Sequence, residues 1–418
     1  MKKTVLTFIA SLFLIVMIWE PVLSYPNDGY TLTGIRRLDR LRLILEGKLK
    51  GTMPPPGARR SITEIKLNLL DARGDSLDTL PPVDRQLQKQ IDFLFPNRHE
   101  SYSLALLDIT PGKPIRFAER QADQQFSPGS VGKLVIAAGL FHELKKRFPD
   151  DPEQRRELLR TRRVVADQWI HSDPHEIPIF DPETKTFIAR AAREGDGFSL
   201  YEWVDHMLSA SANSAASMVW KEVILMHAFG KNYPPTPEQE REFFEQTPRN
   251  VLRDVAMIVN EPLREAGITE REWQLGSFFT HTGKKIVPGG GGSFATPMGY
   301  LKYLVALERG KIVDTWSSLE IKRLMYMTAK RIRYASSPAL THAAVYFKSG
   351  SLYRCKPEPD FKCGKYMGNV ENLMNSVAII EHPDGRTYLV GLMSNVLREN
   401  SAVEHQSLAT FIDRILAK

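Results

Sequence analysis

The chain has 418 residues, 42% of them hydrophobic and 25% charged, with two cysteines and a formal net charge of +7. This is ordinary globular composition, which excludes wholesale disorder, collagen-like and coiled-coil architectures; two cysteines also exclude a disulfide-dense scaffold and a cysteine-based zinc cluster. At about 150 residues per domain the length allows two or three units, or one large unit with insertions. The basic balance permits nucleic acid, an anionic polymer or a membrane surface as partner and does not choose among them.

The N-terminus narrows that choice. Lys2 and Lys3 precede an apolar run from Val5 to Trp19, and Pro21-Val22-Leu23-Ser24 then breaks the run before Tyr25. This layout predicts a secretory signal peptide over residues 1–24. The alternative is an uncleaved anchor that tethers the protein to a membrane, although the run is short of the ~20 apolar residues a spanning helix needs. Removing Lys2, Lys3 and Glu20 lowers the charge from +7 to +6. Export to a bacterial periplasm or to the outside makes nucleic acid a poor partner. It also favours pairing of Cys355 with Cys363, against the alternative of two free thiols.

Residues 25–84 read as an N-terminal extension. Ile35, Leu38, Leu41 and Leu45 recur at helical spacing in a basic stretch, expected to be a packing helix with a solvated basic face, and Ile62 to Leu70 forms a second apolar segment. Val83 to Leu94 reads as a helix. Ser103 to Asp108 and Pro114 to Glu119 read as paired strands around Pro111-Gly112-Lys113. An apolar helix is expected from Ser130 to Leu144, then a polar, proline-rich region over 146–198 with a helical patch near Val164 to Ile170. Helices are expected at Leu200 to Leu208, Ser214 to Met226 and Pro297 to Leu307. Short helices and a glycine loop, Gly289 to Gly292, fill 231–295. Strands follow at Ala343 to Lys348, Ser376 to Glu381 and Thr387 to Met393, the last two joined by Pro383-Asp384-Gly385, and Val403 to Leu416 closes as a helix. Strands at both ends with helices between predict an α+β fold: an antiparallel sheet built from both chain ends, a helical lobe, and a cleft between them. Residues 85–418 form one domain in this reading.

There is no H-E-x-x-H and no C-x-x-C, so no metal centre of those kinds is supported. Gly129-Ser130-Val131-Gly132-Lys133 fails as a phosphate loop, because residue 127 is serine and residue 134 is leucine. What remains is Ser130-x-x-Lys133 at the head of an apolar helix. That spacing puts hydroxyl and amine on one face, where a desolvated lysine can act as a base. Alone, the pair also reads as a capping serine with a surface lysine. Ser211-Ala212-Asn213 between two helices and Lys348-Ser349-Gly350 at a strand end complete an ordered set, and Gly350 would let a substrate approach the strand edge.

The S-x-x-K, S-x-N and K-S-G set resembles the penicillin-recognising serine enzymes, the class A β-lactamases and D-alanyl-D-alanine peptidases. Phe126 to Ser130, Gly197 to Leu208 and Thr296-Pro297 resemble the family's context, over roughly residues 85–418. The resemblance implies a β-lactamase/transpeptidase-like fold and a serine hydrolase that needs no cofactor. By it Ser130 is the nucleophile, Lys133 its base, and Ser211 the relay to the leaving nitrogen. Asn213 binds the substrate amide and Lys133, Lys348 supplies positive potential, and Ser349 binds the substrate carboxylate. The oxyanion sits between the N–H groups of Ser130 and Ser351. The implied partner is a β-lactam or a wall peptide containing D-Ala. Class A β-lactamases also carry a loop Glu, in an E-x-x-x-N pattern before the Thr-Pro, that activates the deacylating water. Here Leu275 to Gly283 has no carboxylate, Glu272 has no Asn four residues on, and His281 reads as a solvated loop residue or, alternatively, a base. Three functions stay open: a β-lactamase-type hydrolase, a D,D-peptidase or related amidase or esterase, and a slowly acylated wall-binding or β-lactam-sensing protein.

Overall fold

The computed structural model describes residues 29–418; the expected signal peptide lies outside the described residues. Five strands make the main sheet: β1 (Ser103–Asp108), β2 (Arg116–Arg120), β3 (Ala344–Arg354), β4 (Glu371–Glu381) and β5 (Thr387–Asn395), in the order β2-β1-β5-β4-β3, with every pair antiparallel. The two chain ends meet where β1 lies beside β5, Ala105 opposite Gly391.

Period-two alternation sorts the strand side chains between two cores. Leu104, Leu106, Val345, Phe347, Ala378, Ile380, Val390 and Leu392 face one layer, formed by the Arg85–Asp92 and Ala402–Leu416 helices. Ala105, Leu107, Tyr346, Val377, Ile379 and Leu389 face the helical lobe. At the centre of that lobe, the Lys133–Arg147 helix is buried from Lys133 to Leu144, and the Asn213–Phe229 helix from Ser214 to Met226. A helix apolar on all sides belongs in an interior.

Several elements depart from expectation. The polar region 146–198 contains a surface hairpin, Glu176–Phe180 paired with Phe187–Ala191. Its Phe187 and Ile188 remain partly exposed, so no inward-outward alternation marks it, and the Arg40 guanidinium stands 3.9 Å from the Phe187 ring centroid. A helix at Thr315–Tyr326 was not expected. Strands β3 and β4 run past their apolar stretches into Ser351–Arg354 and Glu371–Asn375, held by pairing between backbones.

The N-terminal segment packs into the main core through Ile35, Leu38, Ile65, Leu69 and Leu77. The first basic face is not solvated as expected. Arg37 is buried in a bidentate pair with Asp205, and Arg36 pairs with Glu202. Further along, Asn68 and Arg60 reach a buried ion cluster. Lys322 Nζ lies 2.6 Å from Glu308 and 2.7 Å from Glu381, Arg60 pairs with Glu381, and Asn68 donates to both carboxylates. Despite burial, Lys322 and Arg60 hold the Glu381 carboxyl at about 2.

Removing one partner of such a cluster leaves a charge buried without compensation. Lys322→Ala is expected to lower stability by about 3–5 kcal/mol in urea unfolding. Acid acts elsewhere. His206 has neither ring nitrogen bonded and lies against Phe198 and Trp203, and His405 sits between Ser376 and Ser394. Burial lowers their pKa values to about 4 and about 3. Both are neutral when folded but take up protons near pH ~6.5 when unfolded, so stability present above that pH is lost as pH falls towards about 4. The slope reaches ~1.4 kcal/mol per pH unit for each histidine. His206→Leu should flatten this limb in denaturation measured across pH.

Candidate active site

Three segments build the site. Pro128 and Gly129, the latter at φ +50°, turn the chain into a short 3-10 segment, Gly129–Gly132, whose end becomes the Lys133–Arg147 helix. Ser130 sits half-buried on the turn, while Lys133 is fully buried beneath it. Lys133 Nζ lies 3.0 Å from Ser130 Oγ, donates to Asn213 Oδ1 at 2.8 Å, and donates to the Ser211 carbonyl. A neutral amine has two N–H groups and one lone pair. With the two donors taken by Asn213 and Ser211, the lone pair is left for the Ser130 hydroxyl.

Burial lowers the Lys133 pKa to about 7, opposed by the charge of Asp173. Desolvation is the larger effect because the ammonium has no carboxylate within ion-pair distance among the described residues. Phe279, with its ring centroid 5.0 Å from Nζ, helps exclude water.

Ser211 adopts φ +61°, a strained position for a residue with a side chain, just before the helix that begins at Asn213. That conformation lets it serve two lysines. Its carbonyl accepts from Lys133 and its Oγ accepts from Lys348 Nζ at 2.8 Å. Lys348 also donates to the Ser349 carbonyl, at 3.1 Å. Burial, then the nearby charges of Lys133 and Arg333, hold its pKa well below the usual lysine range.

The edge strand β3 lies directly against the Ser130 turn. A Cβ on Gly350 would stand 2.2 Å from the Pro128 carbonyl oxygen and 2.9 Å from Ser130 N, and one on Gly129 would stand 2.9 Å from Ser351 N. The glycine at 350 was expected to admit substrate; here it admits the turn that carries Ser130. Asn375, opposite Gly350 in the ladder, fixes the same turn by donating to the Ser127 carbonyl at 2.8 Å.

All the motif residues therefore converge: Ser130, Lys133, Ser211, Asn213 and Lys348 through side-chain contacts, and Ser349, Gly350 and Ser351 along the strand. Cys355 and Cys363 form a disulfide that closes the loop after β3. That loop borders the site, since Tyr366 just beyond it lies under the Arg333 guanidinium, 5.0 Å from its ring centroid.

Two residues escaped the sequence reading. Arg333, buried and at φ +53°, donates to the Gly350 carbonyl at 2.8 Å and to Ser351 Oγ at 3.0 Å. Asp173 accepts from Ser214 N at 2.7 Å and bonds His175 Nδ1 at 2.6 Å, thereby tying down the turn that holds Asn213. No spacing pattern marks either one. As for a deacylating base, Glu272 is occupied by Thr269 N, Thr269 Oγ1 and Lys302, and His281 is exposed. The loop residues that reach the Ser130 turn are Leu275 and Phe279, which bracket Gly132.

No family model matches the sequence, and no curated protein matches it either. Solved structures do match by shape. The TLA-3 extended-spectrum beta-lactamase aligns at TM-score 0.54 and 13% identity, covering 80% of this chain and 99% of that one. A representative of class A beta-lactamase from Bacteroides cellulosilyticus DSM 14838 aligns at TM-score 0.51 and 15% identity, over 79% and 96%. A beta-lactamase from Chitinophaga pinensis DSM 2588 aligns at 0.51 and 13%, over 79% and 98%. An antiparallel sheet with its edge strand against a buried helix pair, shared over nearly the whole length of these enzymes, gives this chain the fold of the class A β-lactamases.

Proposed function

We propose that the protein is an exported serine acyl-transfer enzyme, acylated at Ser130 by β-lactams or related acyl-D-Ala compounds and hydrolysing them slowly. The observation that carries this reading is the contact of Ser130 Oγ with a buried Lys133 whose pKa is about 7, its two N–H groups taken by Asn213 and Ser211. In this reading the Ser130 proton passes to Lys133 Nζ as Oγ bonds the substrate carbonyl carbon. The oxyanion is held by the N–H groups of Ser130 and Ser351. As the carbon–nitrogen bond breaks, Ser211 Oγ–H protonates the leaving nitrogen and takes a proton in turn from Lys348 Nζ, which donates to it, leaving the acyl ester on Ser130 and the abstracted proton on Lys133. Lys348, Ser349, Ser351 and Arg333 meet the substrate carboxylate, and Asn213 meets its amide side chain. Lys348 and Arg333, neither with a carboxylate partner among the described residues, support an anionic substrate.

Water must then attack the ester. The loop facing Lys133 offers the Phe279 ring and no carboxylate, which supports slow release and keeps a D,D-peptidase or a β-lactam sensor as the second reading.

A fluorescent penicillin should label the protein covalently, and Ser130→Ala should abolish labelling; labelling that survives in that variant removes the nucleophile assignment. Intact-mass spectrometry should find an adduct that persists for hours, whereas loss within seconds would mean efficient hydrolysis. The acylation rate should rise with pH through about 7 as Lys133 loses its proton. Asp173 favours the charged lysine, so Asp173→Asn should shift that rise to lower pH. A pH-rate profile of labelling checks the sign.

A further inference from the structure

A second cluster of chemically capable side chains lies at the far end of the same helices. His142 and Glu143 are near the end of the Lys133–Arg147 helix, His227 is in the last turn of the Asn213–Phe229 helix, and Glu261 and Glu265 belong to the Glu261–Glu265 segment. Ligand atoms of His142, Glu143 and Glu261 all lie within 4.8 Å of one another. His142 and Glu143 are each only 6% exposed.

The histidine is set up as a ligand. Its Nε2 lies 3.1 Å from Glu265 Oε1, so an N–H there donates to the carboxylate and leaves the lone pair on Nδ1. Nδ1 has no hydrogen-bond partner and stands 3.6 Å from Glu261 Oε2. A carboxylate behind a histidine in this way fixes the tautomer and ring orientation that a metal requires.

The electrostatics ask for a cation. Three carboxylates, Glu143, Glu261 and Glu265, face one ammonium, that of Lys146, and two helices present their carbonyl ends. Lys146 Nζ lies 3.0 Å from Glu143 Oε1 and 3.0 Å from Glu261 Oε2, and its side chain is 44% exposed. It can withdraw into solvent. His227 Nδ1, 3.4 Å from Glu143 Oε1, stands by as a further imidazole.

We propose that His142, Glu143 and Glu261 form a binding site for a divalent transition metal of the zinc class, with Lys146 holding the position until the metal displaces it. Imidazole and carboxylate together suit that class of ion. The ion would tie the far end of the Lys133–Arg147 helix to the Glu261–Glu265 segment, and it would take no part in acylation of Ser130.

The test uses the chelator-stripped full chain and Zn²⁺ alone. Calorimetric titration should show saturable binding of one equivalent, together with a raised thermal midpoint. Glu261→Gln, a change at a partly exposed position, should weaken binding by about tenfold or more. His142→Gln should weaken it likewise, and Lys146→Met should tighten it by removing the competing ammonium. Penicillin labelling of Glu261→Gln should match that of the wild type. If Zn²⁺ fails to saturate, if it binds the Glu261→Gln and His142→Gln variants as tightly as the wild type, or if Lys146→Met gains no affinity, the cluster is an ion-pair network only and the proposal falls. Because the site is read by metal binding, that outcome is separate from whether Ser130 is acylated.

Discussion

The buried amine of Lys133 is the constraint around which the rest of the structure is arranged. An ammonium taken out of water is costly, and the fold answers with hydrogen bonds and a lowered pKa of about 7 rather than with a paired carboxylate. The contacts come from two segments far apart in the chain: the Ser130 turn, and the turn that supplies both the Ser211 carbonyl and the Asn213 amide. Holding them together requires two helices buried on all sides, a strained Ser211, and a sheet edge pressed so close to the turn that Gly129 and Gly350 have no room for a side chain.

A second buried lysine shows what the site forgoes. Lys322 is as deeply buried as Lys133 but lies between Glu308 and Glu381, with Arg60 and Asn68 completing the cluster. There the opposite charges are present, and the cluster secures the N-terminal segment to the end of the sheet. At the cleft, burial and then the charges of Lys133 and Arg333 disfavour the charged form of Lys348, and Arg333 and Ser211 both hold left-handed backbone conformations. Uncompensated positive charge together with strained backbone at Ser211 and Arg333 supports the anionic substrate proposed for the cleft.

The loop opposite Lys133 bears on how long an acyl group would stay. Phe279 and Leu275 close over the turn at Gly132, while Thr280 anchors the loop by bonding Ser217. An apolar cover deepens the desolvation that makes Lys133 a usable base. The same cover offers no carboxylate to orient water, so in the proposed reaction the feature that would favour acylation would work against release.

The sequence by itself determined the main strands and the two central helices, the sheet made from both chain ends, and Ser130, Lys133, Ser211, Asn213 and Lys348 as candidates. These rest on local patterns: period-two apolar strands, an apolar helix opened by a turn, and short motifs whose spacing puts side chains on one face. The Glu176–Phe180 hairpin escaped because its second strand is exposed and its first buries Ile177 and Phe180 without alternation. Arg333 and Asp173 escaped because their importance comes from contacts across 18 and 41 positions, to Ser351 and Ser214, that no local spacing records. Only the tertiary structure decided that the N-terminal segment shares the main core, that Gly350 makes room for the Ser130 turn, and that Phe279 faces Lys133. Burial and electrostatic balance depend on every segment that closes around a group, so they exist only once distant parts of the chain have met.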